Sequence, residues 1–204
     1  MMTFIKICGL TDAAAVQAAV NAGAGAVGFV FAQSSRRVTP QHAAAISAQV
    51  PQLVKRVAVM LHPSNDEWKE VAEIFRPDVL QTDVADFAVL DVAANIERWP
   101  VFRQGVASTA KKMPGTFVYE GQQSGQGKTV DWTVAADLAK HGRMILAGGL
   151  CAANVADAIA MVAPYGVDVS SAVESAPGRK DAAKIIAFID AAKNADSWNE
   201  ESRQ

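Results

Sequence analysis

Cysteine is scarce in this chain of 204 residues, which has two, Cys8 and Cys151. Far apart in sequence, they make neither a disulfide framework nor the paired spacing of a zinc site, and they point to a reducing compartment, the cytoplasm. Excess charge of either sign is also missing. A formal net charge of −2 provides no electrostatic footprint for DNA, RNA or an anionic membrane. No stretch approaches the ~20 uninterrupted apolar residues of a membrane span. The start, MMTFIKICGL, lacks a basic leader, a long apolar run and a cleavage site, so no signal peptide is expected. What remains is an ordinary soluble composition, 50% apolar and 20% charged. The length suits one sizeable core rather than two ordinary domains.

The hydrophobic pattern switches repeatedly between short apolar runs and helical periods. Strands are predicted at Phe4–Cys8, Ala26–Phe31, Arg56–Met60, Val79–Gln81, Val101–Gln104, Thr116–Glu120, Met144–Ala147 and Val167–Ser170. Helices are predicted at Asp12–Ala22, Pro40–Gln49, Asn65–Phe75, Trp132–His141, Ala152–Val162 and Asp181–Lys193. Thr11, Thr39 and Asp131 are placed as N-caps, and Gly23 and Gly142 as C-terminal stops. The crossovers between the fourth and sixth strands are weakly patterned. Eight strands with nearly continuous apolar runs, mostly followed by helices, imply a parallel sheet covered on both faces. An open doubly wound sheet also fits the alternation, but eight repeats of this length close most naturally into a (β/α)8 TIM barrel. We therefore expect an α/β fold with residues 1–204 as a single domain, ending in a polar tail at about 194–204.

In such a barrel the chemistry sits at the C-terminal ends of the strands. Residues there are Cys8, the Ser34-Ser35-Arg36-Arg37 loop, Gln81, Arg103, Glu120, Gly148-Gly149, and Asp168 with Ser170-Ser171. Free cysteine is among the most buried residue types, yet one that ends a strand before glycine faces a pocket as a nucleophile or base. Glu120, if partly desolvated, is a candidate proton donor. An arginine at this face suits bidentate carboxylate recognition, and of Arg36 and Arg37 one is expected to be merely solvated. The loops after the seventh and eighth strands, Ala147–Leu150 and Val169–Ala172, offer backbone N–H groups and hydroxyls to a phosphate. Two other glycine motifs fail on context. Gly23-Ala-Gly-Ala-Val-Gly28 follows a helix and precedes a strand, the reverse of a dinucleotide-binding turn. Gly127-Lys128-Thr129 resembles the end of a phosphate-binding P-loop, but the required first glycine falls on Gln122. The three histidines, at 42, 62 and 141, suggest no site, and only His62 lies on the useful face.

Taken in order, Lys6-Ile-Cys8-Gly-Leu-Thr11, Gly28-Phe-Val-Phe31, Ser34-Ser-Arg36, Gly125-Gln-Gly127-Lys-Thr-Val-Asp131-Trp, Ala147-Gly-Gly-Leu150, Gly166-Val-Asp-Val-Ser-Ser171, Val173-Glu-Ser-Ala-Pro-Gly178 and Lys180-Asp181 closely resemble the phosphoribosylanthranilate isomerases of tryptophan biosynthesis. The resemblance runs from about Phe4 to Ala192. It implies an Amadori rearrangement of N-(5-phosphoribosyl)anthranilate to 1-(2-carboxyphenylamino)-1-deoxyribulose 5-phosphate, with no metal and no organic cofactor. By the same resemblance Cys8 is the general base and the strand-six carboxylate the general acid. Arg36 binds the anthranilate carboxylate, and Gln81 and Asp168 line the substrate site. Gly148, Gly149, Ser170 and Ser171 hold the phosphate. The implied partner is the small phosphoribosyl substrate, with no nucleic acid or membrane, in a monomer or homodimer.

Three positions depart from the family pattern. Its strand-six aspartate is Glu120 here. Its Val-Gln-Leu-His-Gly after strand four reads Leu80-Gln81-Thr82-Asp83-Val84, which keeps the glutamine and loses the histidine. Its Ser-Ser-Gly-Val-Glu reads Ser170-Ser171-Ala172-Val173-Glu174, which weakens phosphate binding slightly if the glycine serves a positive φ or a close approach. Two alternatives stay open. One is a related barrel acting on another phosphoribosyl-amine, against which Cys8 speaks because that chemistry usually runs on two aspartates. The other is a non-catalytic phosphosugar-binding barrel in which Glu120 marks decay.

Overall fold

The alternation of apolar runs and helical periods resolves into a closed barrel of eight parallel strands in sequential order. In this computed structural model, residues 2–105, 115–121 and 129–201 are described, the last six as backbone only. Within the motifs noted above, Gln122 and Gly125–Lys128 lie outside the described residues. The barrel strands are β1 (Phe4–Cys8), β2 (Ala26–Val30), β3 (Lys55–Val59), β4 (Val79–Asp83), β5 (Glu97–Arg103), β6 (Thr116–Glu120), β7 (Arg143–Leu146) and β8 (Gly166–Val169). The helices are α1 (Ala13–Ala22), α2 (Pro40–Ile46), α3 (Asn65–Ile74), α4 (Trp132–Ala139), α5 (Val155–Val162) and α6 (Ala182–Glu201). A 3₁₀ turn at Val84–Ala88 follows β4, in one of the two crossovers that the pattern left weak. The open doubly wound alternative is excluded by closure, because β1 pairs with β8 in parallel register.

Strand alternation divides the core in two. Ile5 and Ile7 of β1, with Phe29, Leu80, Phe117, Met144, Leu146 and Val167, point outward into a layer shared with the helices. Phe29 meets Phe75, at the C-terminus of α3, edge-on at 5.2 Å between ring centroids, both rings fully buried. Such a pair adds about 0.5–1.5 kcal/mol beyond its area burial. Ala26, Val57, Val79, Trp99, Val101, Val118 and Ile145 fill the barrel interior. Phe4 packs against Trp99 and Tyr165 beside this inner cluster, at 5.9 and 5.6 Å. Side chains further along the same inward rows are polar, and the site is built there.

Local chemistry explains the element ends, with corrections. The N-cap of α1 is Asp12 rather than Thr11, its carboxylate accepting from the Ala15 N–H. Thr11 instead donates its hydroxyl to the Gly178 carbonyl, tying the first βα-loop to the hairpin Glu174–Lys180. Thr39 and Asp131 cap as expected, and Gly23 closes α1 in the left-handed region at φ 99°. That turn accounts for the glycine run between α1 and β2. Gly142 does not stop α4; the helix ends at Ala139 with Lys140 as its C-cap, the Lys140 N–H returning to the Asp137 carbonyl and the His141 N–H to the Leu138 carbonyl. Helix α5 begins at Val155, because Asn154 turns back to accept from the Cys151 N–H and donate to the Gly149 carbonyl. Helix α6 continues to Glu201, past Asn194 where the sequence pattern suggests a tail, since polar helix formers propagate the ladder without needing burial.

Helix α3 carries a full capping box, in which Ser64 accepts from the Glu67 N–H while the Glu67 carboxylate accepts from the Ser64 N–H. Replacing Ser64 with alanine removes the cap on a helix that buries Trp68 and Val71. A loss of about 1 kcal/mol is expected, read as a lower urea midpoint at unchanged m-value.

Candidate active site

Lys6 and Cys8 sit two residues apart on β1, and alternation therefore puts both side chains on the inward face. Lys6 is fully buried, and its Nζ donates to Asp168 Oδ1 at 2.9 Å across the β1–β8 pairing, where the two residues are register partners. Burial acts to neutralise the ammonium, but the Asp168 carboxylate outweighs it and holds Lys6 firmly charged. Cys8 is itself buried, at 6% exposure. Desolvation pushes its thiol above the ordinary range; the Lys6 and Lys180 ammoniums oppose this, while Asp168 adds to it. Gly28 on β2 makes the space, since a Cβ there would lie 3.1 Å from Cys8 Sγ and 3.2 Å from Lys6 Cε.

A second group of charges surrounds Arg36. Its Nε and Nη2 grip the two oxygens of Glu174 at 2.6 and 2.9 Å, a bidentate pair that fixes the guanidinium plane. Glu174 also accepts from Lys180 Nζ at 2.8 Å, and Lys180 reaches the Ser170 carbonyl at 2.9 Å and its hydroxyl at 3.3 Å. Against the cost of burial, these two cations hold the Glu174 carboxyl below its usual range. Arg36 lies over Gly9, which adopts φ 75° and whose Cβ, if present, would fall 2.6 Å from Arg36 Cδ. Arg37 is exposed, so of the two arginines it is the solvated one.

The third group ends β4, β5 and β6. Arg103 donates from Nε and Nη2 to Asp83 and from Nη1 to Glu120 Oε1 at 2.8 Å. Gln81, two residues before Asp83 on the same inward row, is 4% exposed, and among the described residues its Oε1 has no hydrogen-bond partner. His62, at φ 47°, contacts Asp86 through Nδ1 at 2.9 Å and lies 3.6 Å from Asp83. Gly148 and Gly149 leave β7 at φ 94° and 66°, directing the loop past the barrel mouth. Ser170 and Ser171 open the 3₁₀ turn after β8. Ala172 in that turn is not at positive φ, so the expected need for glycine flexibility there is not met. Among the described residues no three His, Cys, Asp or Glu side chains gather to hold a metal ion, and no helix is long and apolar enough to cross a membrane.

Of the candidates from the sequence, Cys8, Glu120, Arg36, Gly148, Gly149, Ser170 and Ser171 stand at or beyond the C-terminal end of a barrel strand. Asp168 lies one residue before the end of β8, and Gln81 in the middle of β4, which runs two residues further than the sequence pattern suggests. Missed were Lys6, Glu174 and Lys180, and the role of Arg103. The signal for Lys6 was its two-residue spacing from Cys8; none of the others announces its partner. A thiol with an ammonium behind it suits proton abstraction, and a fixed guanidinium suits a planar carboxylate. Because the thiol is raised by burial and lowered by Lys6, its alkylation rate by iodoacetamide should still be climbing at pH 9. In Lys6→Met the rise should move to higher pH; a profile unchanged by that substitution would show the ammonium has no influence on the thiol.

The N-(5'-phosphoribosyl)anthranilate (PRA) isomerase family model matches residues 5–191. The chain is 40% identical over 218 aligned positions to N-(5'-phosphoribosyl)anthranilate isomerase of Erythrobacter litoralis, covering 95% of this chain and all of that one. It is 38% identical over 197 positions to the same enzyme of Streptococcus gordonii, with 95% and 99% covered. A crystal structure of phosphoribosyl anthranilate isomerase in complex with reduced 1-(o-carboxyphenylamino)-1-deoxyribulose 5-phosphate superimposes with a TM-score of 0.79 at 28% identity, covering 95% of this chain and all of that one.

Proposed function

The chain belongs to the N-(5'-phosphoribosyl)anthranilate isomerase family, and from that premise we propose that Cys8 is the general base and Glu120 the general acid of its reaction. The reaction is the Amadori rearrangement of N-(5'-phosphoribosyl)anthranilate to 1-(2-carboxyphenylamino)-1-deoxyribulose 5-phosphate in tryptophan biosynthesis. Ring opening requires a proton on the ribose ring oxygen, which Glu120 supplies as the C1′–O bond breaks and the anilino nitrogen forms an iminium. The iminium acidifies the neighbouring C2′ proton. The thiolate of Cys8 removes it, leaving an enolamine that tautomerises to the ketone. Each placed proton transfer is worth ~10²–10⁴-fold.

The observation that carries this reading is the inward thiol of Cys8 at the end of β1, with the Lys6 ammonium behind it and Asp168 balancing that charge. Arg36, held flat by Glu174, receives the anthranilate carboxylate. The Gly148-Gly149 loop and the hydroxyls of Ser170 and Ser171 receive the phosphate, with Lys180 supplying positive charge beside Ser170. Gln81 is buried on the inward row of β4, and its Oε1, which has no hydrogen-bond partner among the described residues, accepts from a substrate hydroxyl or from the anilino N–H. Asp168 acts through Lys6 as well as facing the substrate. Holding both ends of the substrate supplies the orientation that the acid and base require. The chain works in the cytoplasm as a monomer or homodimer, without metal or organic cofactor.

Steady-state loss of phosphoribosylanthranilate fluorescence, followed in parallel for the unmodified protein and for Glu120→Gln, tests the acid. Turnover is expected in the first and a loss of at least ~10²-fold in kcat in the second; comparable rates would move the acid elsewhere. Cys8→Ser should likewise lower kcat by at least ~10²-fold at unchanged fold. Arg36→Ala should chiefly raise KM, and an unchanged KM would take Arg36 out of the carboxylate site.

A further inference from the structure

Two of the three departures from the family pattern meet at one guanidinium. Asp83 ends β4, Arg103 ends β5 and Glu120 ends β6, on neighbouring strands of the barrel, with Arg103 and Glu120 directly paired in register. Arg103 donates from Nε to both oxygens of Asp83 at 3.1 and 3.2 Å and from Nη2 to Oδ1 at 2.7 Å. Its remaining nitrogen, Nη1, lies 2.8 Å from Glu120 Oε1. The three side chains are 17%, 17% and 13% exposed, so the contacts are shielded from the full screening of water.

We propose that Arg103 and Asp83 are positioning residues for Glu120, and that aspartate at 83 and glutamate at 120 form one linked unit. The inference rests on the reading of Glu120 as general acid. The fork on Asp83 fixes the guanidinium plane, and the fixed plane aims an N–H of Nη1 at the end of β6. A glutamate reaches that nitrogen. An aspartate at 120 would end about 1.5 Å short, the length of one C–C bond, and outside hydrogen-bond range. A neutral histidine at 83 would offer one acceptor nitrogen in place of two carboxylate oxygens and so could not hold the fork. Each departure therefore makes sense only with the other. Charge points the same way. With Glu120 carrying the proton it donates, the charges of Arg103 and Asp83 balance, so the clamp orients the acid without leaving net charge beside it. His62 Nε2 lies 3.6 Å from Asp83 on the outer side of the clamp.

The test is a set of kinetic cycles on the purified protein, with circular dichroism confirming that each variant is folded. Arg103→Gln and Asp83→Asn should each lower kcat by about tenfold or more while KM changes less than about threefold, because the clamp places the acid and not the substrate. Arg103→Lys should recover part of the loss. In the Glu120→Gln background the Asp83→Asn loss should disappear, since the group it positions is already gone. Restoring the family pair with Asp83→His and Glu120→Asp together should cost less than the two single losses combined. An unchanged kcat in Arg103→Gln, or losses that simply multiply in the Glu120→Gln background, would overturn the clamp and leave Glu120 as the acid. If Arg103→Gln does not fold, the Asp83→Asn cycle decides alone. Full activity in Glu120→Gln would overturn the clamp together with the acid on which it rests, a result separable from the others by that single variant.

Discussion

The ion pair between Lys6 and Asp168 lies where the barrel closes. It joins the first strand to the last at 2.9 Å, between register partners, with the ammonium wholly removed from water. A buried pair of this kind is weak evidence for stability, because desolvation consumes much of the Coulombic gain. Its consequence lies elsewhere. Leaving either charge alone in the interior would cost several kcal/mol, so the pair ties the register of β1 against β8 to the only arrangement that satisfies both. That register brings Cys8 beside the end of β8, next to Ser170 and the Lys180–Glu174–Arg36 chain.

The site then divides into two halves with different electrostatic logic. Around β1 and β8 the cations Lys6, Lys180 and Arg36 outnumber the anions Asp168 and Glu174, which suits a substrate with a phosphate at one end and a carboxylate at the other. Around β4 to β6 the balance reverses, with Asp83 and Glu120 sharing Arg103. Positive charge beside Cys8 favours its thiolate against the cost of burial, while at the other half the Arg103 guanidinium, 2.8 Å from Glu120, fixes the direction of that carboxyl group.

The sequence departures read differently once placed. Ala172 for glycine brings no backbone strain, because that residue does not need the left-handed region. Glu120 and Asp83 belong together, because both address Arg103. Taken singly along the chain they are unrelated changes 37 positions apart, and only adjacent strands make them neighbours.

By itself the amino-acid order determined the strand–helix alternation, the barrel, the ends of β1 and β6 to the residue, and the row of candidates at the C-terminal ends of the strands. Period-two and period-3.6 patterning, together with Gly, Thr and Asp punctuation, are local signals that need no knowledge of neighbours. It misplaced the cap of α1 and the stop of α4, since Thr11 and Gly142 are spoken for by contacts or turns beyond the helix itself. Tertiary structure decided which charges meet: Lys6 with Asp168, Arg36 with Glu174, and Arg103 with Asp83 and Glu120. Lys6 and Asp168 are separated by 162 positions in the chain. Such pairs are set by barrel closure and strand register, and a sequence carries no local mark of which residue will face another across the sheet.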